Sequence, residues 1–197
     1  MGTGEVMEKL GKFDAVYNLL KCLVGTVPEG SSILEVGCGG GLRTIELKRE
    51  FSVHITLSDI SSSAIDTARD NASTAGVGAD FEQADALALP FEDNSFDIVW
   101  SGGVNEHFID PQRQTVFNEM ARVCRHECIV IVPNAWNVFY WLWRVRLELQ
   151  KKWIYGFELP FSTFELKRRM EDAGLIFKKA GRTFPYGMEI GIRGIKE

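Results

Sequence analysis

The segment Ile33–Gly41, with the sequence Ile-Leu-Glu-Val-Gly-Cys-Gly-Gly-Gly, decides the fold of this chain. Ser32–Gly37 is an apolar run typical of a buried β-strand, and a helical pattern begins at Leu42. A turn between the two needs residues that tolerate positive φ, and a glycine backbone also lets a ligand approach closely. The start of the helix offers free N–H groups to an anionic group. The segment therefore predicts a strand–turn–helix unit with a small ligand at its turn.

Strands and helices alternate on both sides of this unit. Further strands are predicted at Val53–Ser58, Ala79–Gln83, Phe96–Trp100 and Cys128–Val132. Helices are predicted at Glu5–Val24, Leu42–Glu50, Ser62–Thr74 and Gln112–Val123. This alternation is typical of a doubly wound α/β sheet whose strands are mostly parallel.

The last third of the chain departs from the alternation. A helix at about Thr163–Ala173 precedes two strand-like runs, Leu175–Ala180 and Met188–Ile195. Two strands joined by a short connection are antiparallel, because a parallel pair needs a long crossover. We therefore expect one Rossmann-like α/β domain over residues 1–197, with an antiparallel element at its C-terminal edge.

Composition excludes several classes of protein. The net charge of −5 and the pI of about 5.3 argue against general nucleic-acid binding, which normally needs a basic face. No run approaches the roughly 18 apolar residues of a membrane span, and the first ten residues lack the apolar core of a secretory signal. The four cysteines are sparse and are interpreted as reduced thiols. We expect a cytoplasmic protein without a transmembrane segment.

Two aspartates follow strands on the same edge of the predicted sheet as the glycine turn. Asp59 lies 22 positions after Gly37, where a carboxylate can accept hydrogen bonds from both hydroxyls of an adenosine ribose. Asp85 follows the third strand, where it could accept a bond from an adenine amino group. The alternatives are that Asp59 caps the next helix, that Asp85 is an ordinary loop residue, and that the turn binds nothing. A dinucleotide fingerprint needs glycine at position 42, which is Leu42 here, so an NAD site is disfavoured.

Two stretches carry a resemblance to a known family. Glu35–Gly41 resembles the first motif of class I S-adenosylmethionine-dependent methyltransferases. Asp85–Val99 is similar to the D-x-x-x-L-P-F-x-D-x-S-F-D-x-V segment of their small-molecule subgroup, which includes the ubiquinone/menaquinone-type enzymes. The combined resemblance covers about Ile33 to His107.

The resemblance implies a seven-stranded sheet with an antiparallel last strand, and S-adenosylmethionine as the cofactor, with S-adenosylhomocysteine as the product. It implies that the methionine end of the cofactor lies on the first motif, which contains Glu35, Gly37, Cys38, Gly39 and Gly41. By the same resemblance, Asp59 binds the ribose, Ile60 packs on the adenine, Asp85 and Ala86 contact the adenine edge, and Ser101 and Gly102 lie near the methyl donor.

His107 is the candidate catalytic base, because it follows the fourth strand and histidine exchanges protons near neutral pH. The alternative is that His107 only shapes the pocket or bonds a backbone carbonyl. No metal is expected, since Cys124–Cys128 lacks the paired C-x2-C spacing of a zinc site. The sequence thus predicts methyl transfer to a small, lipophilic or aromatic acceptor. The alternatives are a non-catalytic S-adenosylmethionine-binding module and, less favoured, an NAD-dependent oxidoreductase.

An aromatic segment, Trp136–Phe157, contains four of the five tryptophans together with several basic residues. Three interpretations stay open: a helix packed in the core, a hydrophobic lid formed by an insertion at 134–160, and amphipathic docking at a membrane surface. The lid would fit the variable position after the fifth strand that the resemblance implies.

Overall fold

A seven-stranded sheet runs through residues 14–197, which are the residues that this computed structural model describes. The strands are β1 (Ser32–Val36), β2 (His54–Asp59), β3 (Asp80–Gln83), β4 (Phe96–Gly102), β5 (Cys124–Pro133), β6 (Ile176–Arg182) and β7 (Glu189–Ile195). The helices are α1 (Ala15–Val24), α2 (Leu42–Glu50), α3 (Ser62–Ala75), α4 (Gln112–Val123), α5 (Val138–Leu149) and α6 (Thr163–Asp172), with a 3-10 helix at Asn105–His107.

The strand order is β3-β2-β1-β4-β5-β7-β6. The pairs from β3 to β5 are parallel, and β7 is antiparallel to both β5 and β6. The fold class expected from the sequence is therefore confirmed. The order reverses between β1 and β4, and open α/β sheets bind their ligands beyond the carboxyl ends of the strands at such a point.

The core has two layers because alternate residues of each parallel strand point to opposite faces of the sheet. On one face, α1, α2 and α3 pack through residues such as Leu20, Ile45 and Ala68. On the other face, α4 and α6 pack through residues such as Phe117 and Met170. The strands are thus covered on both faces, which leaves their carboxyl-terminal edge as the place for a site.

Two element boundaries differ from the sequence-based expectation. Strand β5 begins at Cys124 rather than Cys128, because polar residues at positions 125–127 hide the strand pattern at the sheet's end. Helix α1 begins at Ala15 with Asp14 as its cap, where Asp14 Oδ1 accepts hydrogen bonds from the backbone of Val16 and Tyr17. The remainder of the helix predicted from Glu5 lies outside the described residues.

The 134–160 segment leaves the sheet and returns to it at one point. Asn134 forms a parallel bridge with Phe161, where the Ala135 N–H donates to the Phe161 carbonyl at 2.9 Å. The Phe161 N–H in turn donates to the Pro133 carbonyl at 3.0 Å. Helix α5 lies within this segment. Along residues 14–197, every helix falls short of the length and apolar character that a bilayer crossing requires.

Candidate functional site

The glycine turn joins β1 to α2 with three residues at positive φ. Gly37, Gly39 and Gly41 have φ values of 70°, 53° and 67°. A Cβ atom on Gly37 would lie 2.3 Å from Val104 Cγ2, whereas a Cβ on Gly39 would meet no atom of residues 14–197 within 4 Å. The backbone is therefore closely packed at Gly37 and faces open space at Gly39.

Asp59 ties the glycine turn to the end of β2. Its Oδ2 accepts a hydrogen bond from the Gly39 N–H at 2.9 Å, and its Oδ1 accepts one from the Ser61 N–H at 2.9 Å. The N-cap of α3 is Ser61, whose own hydroxyl accepts a bond from the Ala64 N–H. Helix capping therefore does not account for Asp59, and each of its oxygens keeps a lone pair for a ligand.

A cavity of about 250 Å³ opens beside the turn, and we call it the turn cavity. The residues expected at the cofactor that line it are Gly37, Asp59, Ile60, Asp85 and Ala86. The sequence did not identify the other lining residues, Ala84, Gly103, Val104 and Phe108. Val104 and Phe108 lie beside the site because the chain after β4 folds back across the turn, which the spacing of motifs does not reveal.

Several expected cofactor residues lie behind the cavity wall. Glu35, Cys38 and Ser101 are buried, and they line neither the turn cavity nor the second cavity described below. The Ser101 hydroxyl donates to Asn105 Oδ1 at 2.8 Å. Burial raises the pKa of Glu35 to about 8, and its Oε2 has no hydrogen-bond partner within residues 14–197. These three side chains are therefore closed off from both cavities.

A second cavity of about 320 Å³, the aromatic cavity, lies under α5. Its walls combine aromatic side chains with carboxylates, and they include Gly102, Gly103, Glu106, His107, Tyr140, Trp143, Tyr155, Glu158 and Glu189. Gly103 and His107 line both cavities. The turn cavity and the aromatic cavity therefore meet at these two residues, at the carboxyl end of β4.

Helix α5 forms a wall of the aromatic cavity instead of packing in the core. Among its residues only Tyr140 is buried, so the core interpretation is wrong for the rest of the helix. The Tyr140 hydroxyl donates to Glu158 Oε2 at 2.8 Å. Trp143 lies 5.6 Å from Trp153 and 5.7 Å from Tyr155 between ring centroids. Trp143, Trp153 and Tyr155 thus form one cluster, of which Trp143 and Tyr155 line the cavity.

His107 lies in the 3-10 helix after β4, with its ring at the junction of the cavities. Its Nδ1 is 2.7 Å from the Phe157 carbonyl oxygen. Since a carbonyl only accepts hydrogen bonds, Nδ1 carries the proton and Nε2 of the neutral ring keeps a lone pair. His107 therefore bonds a backbone carbonyl, as one of the two interpretations of the sequence expected. This bond leaves the Nε2 lone pair free.

Glu106 is buried beside His107. It is 1% exposed, and its Oε2 has no hydrogen-bond partner in the described part of the chain. Burial raises the pKa of Glu106 to about 8, and the nearby carboxylate of Glu158 acts in the same direction. A buried acidic group without a partner is costly in free energy, so its place on a cavity wall calls for an explanation.

Residues 33–127, which include the glycine turn, both aspartates and His107, match the family model described as "Methyltransferase domain". This part of the chain is similar to a methyltransferase domain. The resemblance drawn from the two sequence motifs is thereby confirmed. The match ends before the 134–160 segment, so the aromatic side chains of the second cavity lie outside the matched part of the domain.

Relatives of this chain bear names of small-molecule enzymes. The 2-methyl-6-phytyl-1,4-hydroquinone methyltransferase of Synechocystis is 29% identical over 160 residues, which are 77% of this chain and 48% of that protein. The 27-O-demethylrifamycin SV methyltransferase of Amycolatopsis mediterranei is 36% identical over 116 residues, 57% of this chain and 42% of that protein. The chain spans less than half the length of these two relatives.

A solved structure shares the fold of the domain over nearly its whole length. Magnesium protoporphyrin IX methyltransferase from Synechocystis, solved with S-adenosylhomocysteine bound, superposes with a TM-score of 0.71. The match covers 97% of this chain and 83% of that chain at 17% sequence identity. Identity at this level shows the common fold.

Proposed function

We propose that this protein transfers a methyl group from S-adenosylmethionine to a small-molecule acceptor. The observation that carries the proposal is the meeting of the turn cavity and the aromatic cavity at Gly103 and His107. In this arrangement the cofactor occupies the turn cavity and the acceptor the aromatic cavity. The methyl group then passes from one to the other at the end of β4.

The turn cavity fits the adenosine part of the cofactor. The two Asp59 oxygens hold lone pairs for the ribose hydroxyls, and Asp85 lines the same cavity at the position for the adenine amino group. Ile60 is 64% exposed on the cavity wall, and an adenine ring packed on it would cover this apolar surface. The open space at Gly39 leaves room for the methionine end. The structural relative with S-adenosylhomocysteine bound supports the same assignment.

The residues at the junction would align the reacting groups. When bound, S-adenosylmethionine supplies an electrophilic methyl group on a sulfonium. Because the donor is already activated, the chain mainly has to orient the acceptor and exclude water. For an acceptor that carries a proton, Nε2 of His107 is the proposed proton acceptor, and the bond from Nδ1–H to Phe157 holds the ring in place.

The proposed acceptor is small and aromatic or lipophilic. Tyr140, Trp143 and Tyr155 supply aromatic surface to the cavity, and the 134–160 segment acts as its lid. The hydroquinone and rifamycin named for the two relatives agree with this class of acceptor. We also propose a cytoplasmic location, which the four free thiols of the chain support.

Titration calorimetry tests the proposed cofactor. We expect S-adenosylmethionine and S-adenosylhomocysteine to bind at one site, and NAD to give no heat of binding. Release of S-adenosylhomocysteine with a panel of hydroquinones and phenols then tests methyl transfer. Binding of NAD without binding of S-adenosylmethionine would refute the proposal. Cofactor binding without turnover on any acceptor would favour the non-catalytic module.

The outer face of α5 supports a peripheral membrane contact, which we propose as a second property of the lid. Val138, Leu142, Val145 and Leu149 recur at helical spacing on this face, and all four side chains are exposed. Arg146, Lys151 and Lys152 are exposed beside or after the stripe. An apolar helix face with adjacent cations suits the boundary of an anionic bilayer.

Flotation with vesicles of phosphatidylcholine and phosphatidylglycerol tests this contact. We expect the protein to float with the anionic vesicles and the double variant Leu142→Asp/Leu149→Asp to remain at the bottom, because two carboxylates on the stripe would oppose insertion. Ile109→Asp is the matched control, since Ile109 is an exposed apolar residue outside the segment. Failure of the unaltered protein to bind anionic vesicles would eliminate the contact.

A further inference from the structure

Three side chains with metal-ligating atoms converge at the edge of the aromatic cavity. Glu106, His107 and Glu158 each offer one ligand atom, and these atoms all lie within 4.8 Å of one another. Glu106 and His107 come from the 3-10 helix after β4, and Glu158 comes from the end of the 134–160 segment. All three line the aromatic cavity.

We propose that Glu106, His107 and Glu158 bind a divalent transition-metal ion, of the class of Mn²⁺ or Zn²⁺, in the aromatic cavity. Glu106 releases its proton to solvent as the ion binds, and the two carboxylates then balance the double positive charge of the ion. One imidazole together with two carboxylates is a donor set that suits these ions better than Mg²⁺, which prefers oxygen ligands and retained waters. Because His107 is exposed toward the cavity, the ion would keep positions open for water or an acceptor.

The Glu106 carboxyl group provides the independent observation. Its side chain is 1% exposed, it borders the cavity, and its Oε2 lacks a hydrogen-bond partner anywhere in residues 14–197. Buried carboxylates are normally paired, hydrogen-bonded or bound to a metal. A cation in the cavity supplies the partner that this oxygen lacks.

The neighbouring arginines are engaged with other groups. Arg43 binds Asp14 at 3.0 Å, and Arg144 binds Glu148 at 2.9 Å. Arg113 binds Glu165 at 2.9 Å and donates to the carbonyls of Phe108 and Leu159. None of these guanidinium groups donates a hydrogen bond to Glu106 Oε2. Arg144 approaches the cluster through the Glu158 backbone carbonyl at 3.1 Å and the Tyr140 hydroxyl at 3.4 Å, which leaves the Glu106 carboxyl group for a bound ion.

His107 and Glu158 make hydrogen bonds to neighbouring groups of the kind that metal ligands usually make. The His107 Nδ1–H donates to the Phe157 carbonyl, and the Tyr140 hydroxyl donates to Glu158 Oε2. Ligating histidines commonly donate their second ring N–H to a carbonyl, and ligating carboxylates are commonly hydrogen-bonded in turn. Both bonds come from the 134–160 segment, so a bound ion would also fix this segment against the end of β4.

The position of the ion would affect methyl transfer. This effect rests on the proposed function, whereas the metal site itself does not. His107 lines both cavities, so the ion would lie next to the path of the methyl group. With Nε2 of His107 bound to the ion, the ring no longer takes the proton, and the ion replaces it as the group that promotes deprotonation. An acceptor hydroxyl bound to the ion loses its proton to solvent more readily, because the cation stabilises the oxyanion. The oxygen then forms its bond to the methyl carbon as the carbon–sulfur bond breaks, and neutral S-adenosylhomocysteine leaves.

Electron paramagnetic resonance of Mn²⁺ added to metal-stripped protein tests the site. We expect one bound ion per chain, displaced by Zn²⁺, and at least tenfold weaker binding in Glu158→Gln. Glu189→Gln is the matched control, because Glu189 lines the same cavity but its Oε2 is held by the Thr183 hydroxyl at 2.6 Å. Circular dichroism of each variant checks that it is folded.

Two results would overturn the metal site: no stoichiometric binding of Mn²⁺ or Zn²⁺ by the unaltered protein, or unchanged binding in Glu158→Gln. A cofactor titration on the metal-stripped protein separates this proposal from the proposed function. Cofactor binding without metal binding removes only the metal site. Metal binding without cofactor binding removes only the proposed methyl transfer.

Discussion

Asp59→Asn is expected to weaken binding of S-adenosylmethionine by about 100-fold or more. The carboxylate has a lone pair on each oxygen for one ribose hydroxyl, and hydrogen bonds to a charged group contribute about 1.5–3 kcal/mol each. The substitution removes one acceptor and takes the charge from the other, which together amount to about 3 kcal/mol, and each 1.4 kcal/mol is about a factor of ten in affinity. An amide also places an NH2 group against the N–H of Gly39 or Ser61, which now donate to the carboxylate.

The measurement is a calorimetric titration with Asp80→Asn as the control. Asp80 is an exposed carboxylate on the neighbouring strand β3 and lines neither cavity, so its removal changes the net charge equally. Thermal unfolding without cofactor shows whether Asp59→Asn remains folded. If the folded Asp59→Asn variant binds the cofactor within threefold of the unaltered protein, the ribose assignment is wrong.

Gly41→Ala is expected to lower the free energy of unfolding by about 2–5 kcal/mol. Its φ of 67° costs an alanine about 1–2 kcal/mol. The added Cβ would also lie 2.6 Å from Leu57 Cδ1 and 3.4 Å from Ala68 Cβ. Leu57 is fully buried, so the overlap would force a shift in a packed core that costs about 1–3 kcal/mol.

Urea unfolding of Gly41→Ala and Gly39→Ala separates the cost of the positive φ from the cost of the contact with Leu57. Gly39 has a similar φ of 53°, but its Cβ would face open space, so this variant carries the backbone cost alone. We expect Gly39→Ala to be destabilised by about 1–2 kcal/mol. Equal destabilisation of the two variants would show that the contact with Leu57 is not the cause.

Part of the lining of the turn cavity was predictable from the sequence because local features define it. Gly37, Asp59 and Asp85 each lie at or just after the carboxyl end of a strand, and these ends meet on one edge of a parallel sheet. Ser101 shows the limit of this argument. Successive residues of a strand point to opposite faces, so Ser101 is turned inward to Asn105 whereas Gly102 borders the aromatic cavity.

The aromatic cavity was harder to predict because its parts are distant in sequence. Glu158 approaches Glu106 only after the chain has passed through β5, α5 and the rest of the 134–160 segment. Aromatic content alone also does not distinguish a buried helix from a cavity wall, since burial depends on what covers each face. Cys124–Cys128 is the place where metal-ligating residue types lie close together along the chain. Glu106, His107 and Glu158 come together only in the folded protein, so spacing along the sequence does not reveal them.

The bridge between Asn134 and Phe161 brings together the two ends of the 134–160 segment. Because its two ends are joined at the margin of the sheet, the 134–160 segment can become longer or shorter, or change its side chains, while the pairing of β5 with β7 stays in register. The aromatic cavity is lined by residues of the strand ends and by residues of the 134–160 segment. These two sets of lining residues can therefore change independently of each other. A loop of another length at this place is expected to change which molecules enter the aromatic cavity while the turn cavity stays as it is.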